Sequence, residues 1–150
     1  MWNQDKSVLL SVVCTRVVMV LALALAVALP FLCSSGFFEH RALISPESIP
    51  LLMPVYYSFC VPAFIALIAL DKLLGAVRRG AVFTPGNVRF LRIISWCCFA
   101  AALILLASSF VSVVFFVLAV LAAFFGVILR AVKNLFAAAT QLKEENDFTI

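Results

Sequence analysis

Hydrophobic residues run through this chain in long blocks broken by short polar stretches, and the longest block, Ile93 to Leu129, holds no charged residue. As one helix at about 1.5 Å per residue it would be on the order of 55 Å long, against a hydrocarbon core of roughly 30 Å. It must cross a bilayer, turn and return. The polar cluster Ser108-Ser109-Phe110-Val111-Ser112 near its middle is where it can turn. The pattern predicts an all-α polytopic membrane protein with four transmembrane helices, over about 7–32, 46–77, 85–107 and 112–145.

Local signals mark the ends of these spans. The first stops near Pro30 and Ser34-Ser35-Gly36. Ser45-Pro46 opens the second, with serine as cap, proline in the first turn and a staple between Ile44 and Ile49. Pro62 falls inside that helix and is expected to kink it. Thr84 as N-cap, Pro85 behind it and a Phe83–Val88 staple start the third. The fourth span reaches the interface at Arg130 and Lys133, and its helical pattern persists to about Glu145. The helix is therefore expected to extend into the cytoplasm, followed by a tail over 146–150.

Composition agrees with a membrane class: 66% hydrophobic and 12% charged, with mean hydropathy +1.22. Soluble domains are about 45–50% apolar and about 25% charged. One domain of 150 residues leaves no room for a separate soluble module. The net charge of +4 reads as topology rather than as affinity for nucleic acid, and no direct nucleic-acid binding is expected. Of 11 Lys and Arg, only Arg41 falls in the 34–45 loop or the turn between the third and fourth spans. The other ten share the opposite side, so both termini and the 78–84 loop are expected in the cytoplasm, the chain sitting multi-pass in the cytoplasmic membrane. Lys6 and Arg16 ahead of an apolar stretch resemble a signal peptide. Pro30-Phe31-Leu32-Cys33 lacks the small residues of a lipoprotein cleavage site, and the segment reads as an uncleaved span.

Candidate chemistry is sparse. The five cysteines, Cys14, Cys33, Cys60, Cys97 and Cys98, form no C-x-x-C pair and read as small buried apolar residues rather than as a thiol oxidoreductase centre. His40 stands beside Glu39 in the outer loop, far short of a metal site. Ser and Thr find no His–Asp partners on their side of the membrane. The expectation is a non-enzyme with no catalytic residue, cofactor or metal. Ionisable groups on the spans are the default functional candidates: Arg16 and Asp71 are expected to approach each other near the inner end, or Arg16 to snorkel to the inner interface. Asp71 lies too close to the end of its helix to serve as the mid-span carboxylate of a proton-coupled exporter. Small residues four apart, at Ala22/Ala26, Ala119/Ala123 and Ala122/Gly126, allow close helix contact within one chain or across a homodimer.

The C-terminal segment Gln141-Leu142-Lys143-Glu144-Glu145-Asn146-Asp147-Phe148-Thr149-Ile150 gathers three of the seven acidic residues. Such a stretch is repelled by anionic lipid, and either folds back on Arg78, Arg79, Arg89 and Arg92 or meets a basic partner. With Gly80-Ala81-Val82-Phe83-Thr84-Pro85-Gly86-Asn87-Val88-Arg89-Phe90-Leu91-Arg92, it resembles the small bacterial four-helix membrane proteins of the YoaS type, a domain of unknown function. That family has a similar Gly-x-x-Phe-x-x-x-Asn loop and a tail close to Leu-Lys-Glu-Glu-Asn-Asp-Leu-Thr-Ile. Here Phe148 replaces the leucine, and Gly86 stands where Glu is common. The resemblance implies no reaction. It does imply a neighbouring small helix-turn-helix regulator of the Cro/repressor type as a functional partner.

The resulting expectation is a regulatory membrane protein that holds a small DNA-binding regulator through its cytoplasmic loop and acidic tail. The residues concerned are Arg78, Arg79, Glu144, Glu145, Asn146, Asp147, Phe148 and Ile150. The alternative is a small transporter or an accessory subunit of one. A water-filled cavity lined by Tyr56, Tyr57, Ser58 and Asp71 would favour transport, and a dry Phe/Leu core would oppose it.

Overall fold

A computed structural model describes residues 4–35, 49–110 and 112–149. Among the described residues the regular structure is four helices: α1 (Gln4–Ser34), α2 (Ile49–Arg78), α3 (Pro85–Ala107) and α4 (Val113–Phe148). Each is long and apolar enough to cross a membrane. The 34–45 loop, with Glu39, His40 and Arg41, lies outside the described residues apart from Ser34 and Ser35, as do Glu47, the Ser45-Pro46 cap and the Ile44 side of its staple.

Neighbours in sequence are neighbours in space. α1 packs on α2, α2 on α3 and α3 on α4, each pair antiparallel. This order puts the start of α1, the α2–α3 connection and the end of α4 at one end of the bundle. That end carries the Lys and Arg side chains of the described residues.

α3 is the best-covered helix, burying Leu91, Ile94, Ala101, Ala102 and Leu105 between its neighbours. Much of the rest of the apolar surface faces outward. Val13, Val20, Leu21 and Phe31 on α1, and Val117, Phe124 and Val127 on α4, are all exposed. A soluble protein would bury such a surface; here it matches lipid.

Local chemistry explains the ends. Gly80, at φ 77°, reverses the chain after α2, its amide donating to the Val77 carbonyl at 3.0 Å. Thr84 is the N-cap of α3, and its hydroxyl accepts from the Asn87 amide at 3.4 Å. Ser108 closes α3 by donating from its hydroxyl to Ile104 O at 2.8 Å, and Ser112 caps α4. The α4 helix runs three residues past its expected end at 145, to Phe148, and so takes in most of the expected tail. Thr149 is its C-cap, its hydroxyl donating to Glu145 O at 2.6 Å and its amide to Asn146 O at 3.3 Å.

Prolines inside the helices are accommodated. α2 continues through Pro54 and Pro62, and α1 through Pro30. Pro30 has no amide to offer the Ala26 carbonyl four residues earlier, and the Tyr57 hydroxyl of α2 donates to that oxygen at 3.0 Å. One hydrogen bond thus both heals α1 and joins it to α2.

Candidate functional site

The basic end of the bundle is organised around Asn87, which is 1% exposed. Its side-chain Nδ2 donates to Ala81 O and Val82 O, each at 2.7 Å, tying the α2–α3 connection to the first turn of α3. The Phe83 ring, which the sequence places against Val88, rests on Phe136 of α4 with 5.6 Å between ring centroids. The Gly80…Phe83…Asn87 pattern therefore has a structural meaning: a turn glycine, an anchor onto α4, and an internal tie. The pattern is legible in the sequence but these jobs are not: Phe136 lies on another helix, and the two carbonyls reach Asn87 only once the α2–α3 connection has taken its conformation.

One turn beyond that anchor α4 loses its cover. Among the described residues Thr140 is the last buried one, and 141–149 are all exposed. Glu144, Glu145, Asn146 and Asp147 occupy the final turns of the helix, with Leu142 and Phe148 uncovered beside them. Among the described residues the one ion pair is Arg16–Asp71, so no ion pair folds the acidic turn back onto Arg78, Arg79, Arg89 or Arg92. Arg78 and Arg79 are exposed at the end of α2 and in the turn that follows. Ile150 lies outside the described residues.

Arg16 Nε donates to Asp71 Oδ1 at 3.1 Å across α1 and α2. The Arg16 side chain is 65% exposed and that of Asp71 30%. A cavity of about 410 Å³ beside the pair is also lined by Lys72, Arg78, Arg79 and Phe90.

A larger cavity, about 680 Å³, opens between α2, α3 and α4. Leu52, Phe59, Pro62, Leu105, Phe115 and Phe125 are among its walls, and Tyr56 is the most polar side chain on them. Tyr56, Ser58 and Asp71 face three different cavities, and the Tyr57 hydroxyl is occupied by Ala26. The water-lined chamber that transport of a polar solute would favour is therefore not assembled from these four residues.

Two of the small residues on α4 pack within the chain. Ala119 is buried, and a Cβ on Gly126 would stand 3.2 Å from the Phe99 ring. Beside it the Ser95 hydroxyl donates to Gly126 O at 2.9 Å, a buried link between α3 and α4 that sequence patterning did not single out. Cys14, Cys60, Cys97 and Cys98 are unbridged. Among the described residues no three of His, Cys, Asp and Glu are grouped as metal ligands.

Residues 7–150 match a family model described as "Protein of unknown function (DUF2975)". No curated protein and no solved structure matches the chain.

Proposed function

The chain belongs to the DUF2975 family, whose description assigns no activity, and we propose from its geometry that it is a non-enzymatic regulatory protein of the bacterial inner membrane. With its basic end in the cytoplasm, it holds a small DNA-binding regulator of the helix-turn-helix type on the acidic end of α4 and the adjoining α2–α3 loop.

The observation that carries this reading is the unsupported end of α4. Its 36 residues make a rod about 54 Å long, well beyond what a bilayer core of about 30 Å requires. Glu144, Glu145 and Asp147 crowd the C-terminal end of that rod, where the helix dipole already places negative charge. Each is disfavoured there by about 0.3–1 kcal/mol. A local rule broken three times in one turn marks a surface kept for something other than stability. Leu135 and Leu142, two turns apart on one face, are both exposed, and Phe148 is 90% exposed. Acidic charge beside uncovered apolar side chains suits a basic protein with an apolar contact of its own. Occupying a DNA-binding face in this way competes with DNA phosphate.

The test compares the full-length protein with the charge-reversed variant E144K/E145K/D147K, each purified from its native membrane in mild detergent. A small basic DNA-binding protein retained by the first and lost from the second is the expected result. An unchanged set of companions would overturn the reading. The apolar cavity between α2, α3 and α4 gives transport of a polar solute no support, so transport stays the lesser reading.

A further inference from the structure

We propose that Arg92, Arg130 and Lys133 form a binding site for a phosphate group, such as that of an anionic lipid headgroup, at the basic end of the α3–α4 pair.

The site follows from helix geometry. The Ser95–Gly126 hydrogen bond sets the register between two antiparallel helices. Arg92 lies three residues before Ser95 on α3, about 4.5 Å toward the basic end, and Arg130 lies four residues after Gly126 on α4, about 6 Å in the same direction. The two guanidinium-bearing positions therefore stand nearly level on adjacent helices. Lys133 follows one turn further along α4. All three line a single cavity of about 240 Å³, together with Ser95 and Trp96.

Trp96 gives the site its depth and shape. It is largely exposed on the outer surface of α3, the position of an interfacial anchor at headgroup level. Arg130 Cζ stands 5.7 Å from the centroid of the indole, a contact that holds its guanidinium beside the cavity rather than free in solvent.

Three cations facing one concavity repel each other unless an anion joins them. The described residues provide none: the one ion pair among them is Arg16–Asp71, on the α1–α2 side of the bundle. Planar guanidinium groups bind phosphate oxygens in a bidentate fashion, and an ammonium adds a third donor. A bilayer presents phosphate at this level continuously, and each Lys or Arg near an anionic surface adds attraction of about 1 kcal/mol, or roughly fivefold. The inference rests on no particular partner and does not depend on the proposed regulatory role.

The experiment uses full-length protein in neutral detergent, followed by native mass spectrometry and thermal unfolding. It has two arms: added phosphatidylglycerol and added inorganic phosphate. The wild type is compared with R92Q/R130Q/K133Q and with K6Q/K72Q/K143Q, which removes equal charge away from the cavity. Retained phosphatidylglycerol with raised thermal stability, weakened roughly fivefold per charge in the first variant and unchanged in the second, supports a lipid site. The same pattern with inorganic phosphate alone supports a site for the free ion. No effect of either ligand on the wild type, or equal losses in both variants, overturns the proposal. If the triple variant does not fold, R92Q and R130Q singly carry the comparison.

Discussion

Tyr57 donates its hydroxyl to the Ala26 carbonyl at 3.0 Å, the one backbone oxygen of α1 that Pro30 deprives of a helical partner. A residue on the second helix thus completes the hydrogen bonding of the first. In lipid, where water cannot take that role, the pairing also fixes how α1 sits on α2.

Replacing Tyr57 with phenylalanine leaves the Ala26 oxygen without its donor and is expected to cost about 1 kcal/mol. Adding Pro30→Ala restores an amide to α1 and should recover most of that loss. Denaturation in mixed micelles measures both. Additive effects of the two substitutions would separate Tyr57 from the proline.

Asn87 is the tie of the α2–α3 connection, and Asn87→Ala leaves two carbonyls, of Ala81 and Val82, without their buried donor. The expected loss is about 2 kcal/mol, with faster tryptic cleavage after Arg78 or Arg79 as the loop leaves α4. Unaltered proteolysis would show that the Phe83–Phe136 contact alone holds the loop.

Arg16 and Asp71 pair on a largely open face, so their direct energy is small, about 0.5 kcal/mol for each reversal. Their worth is in register. Arg16→Asp or Asp71→Arg alone should lower the yield of folded protein, and the double reversal should restore it. Failure of the double reversal would assign each residue to a lipid or solvent contact of its own.

Gly126 admits the Phe99 ring, and a side chain there must displace it. Gly126→Leu is expected to cost about 1–3 kcal/mol by forcing α3 from α4. Ser95→Ala, which removes only the hydroxyl donated to Gly126 O, should cost about 0.6 kcal/mol. Equal effects of the two in micelle denaturation would contradict close packing as the role of Gly126.

The four spans were legible because bilayer thickness acts on the chain directly. An uncharged block from Ile93 to Leu129 must fold back on itself, and Thr84-Pro85 and Ser112 carry their capping chemistry in the residues alone. α4 runs on past about 145 because Asn146 and Asp147, poor helix formers, are held by Thr149 bonds to Glu145 and Asn146 that periodicity does not register. The candidate sites divide in the same way. Acidic residues gathered at 144–147 and a lone basic–acidic pair at Arg16 and Asp71 are visible as charge in an apolar sequence.

The sequence by itself determined the class, the number of spans and the uneven distribution of charge, since each follows from the cost of placing polar groups in hydrocarbon. Only the tertiary structure decided which groups meet. Phe83 on Phe136, Tyr57 on Ala26, Ser95 on Gly126, and Arg92 level with Arg130 all join residues on different elements. Lipid is as apolar as leucine, so hydrophobicity does not choose among helix faces; close packing and single hydrogen bonds do, and these exist only once the helices have come together.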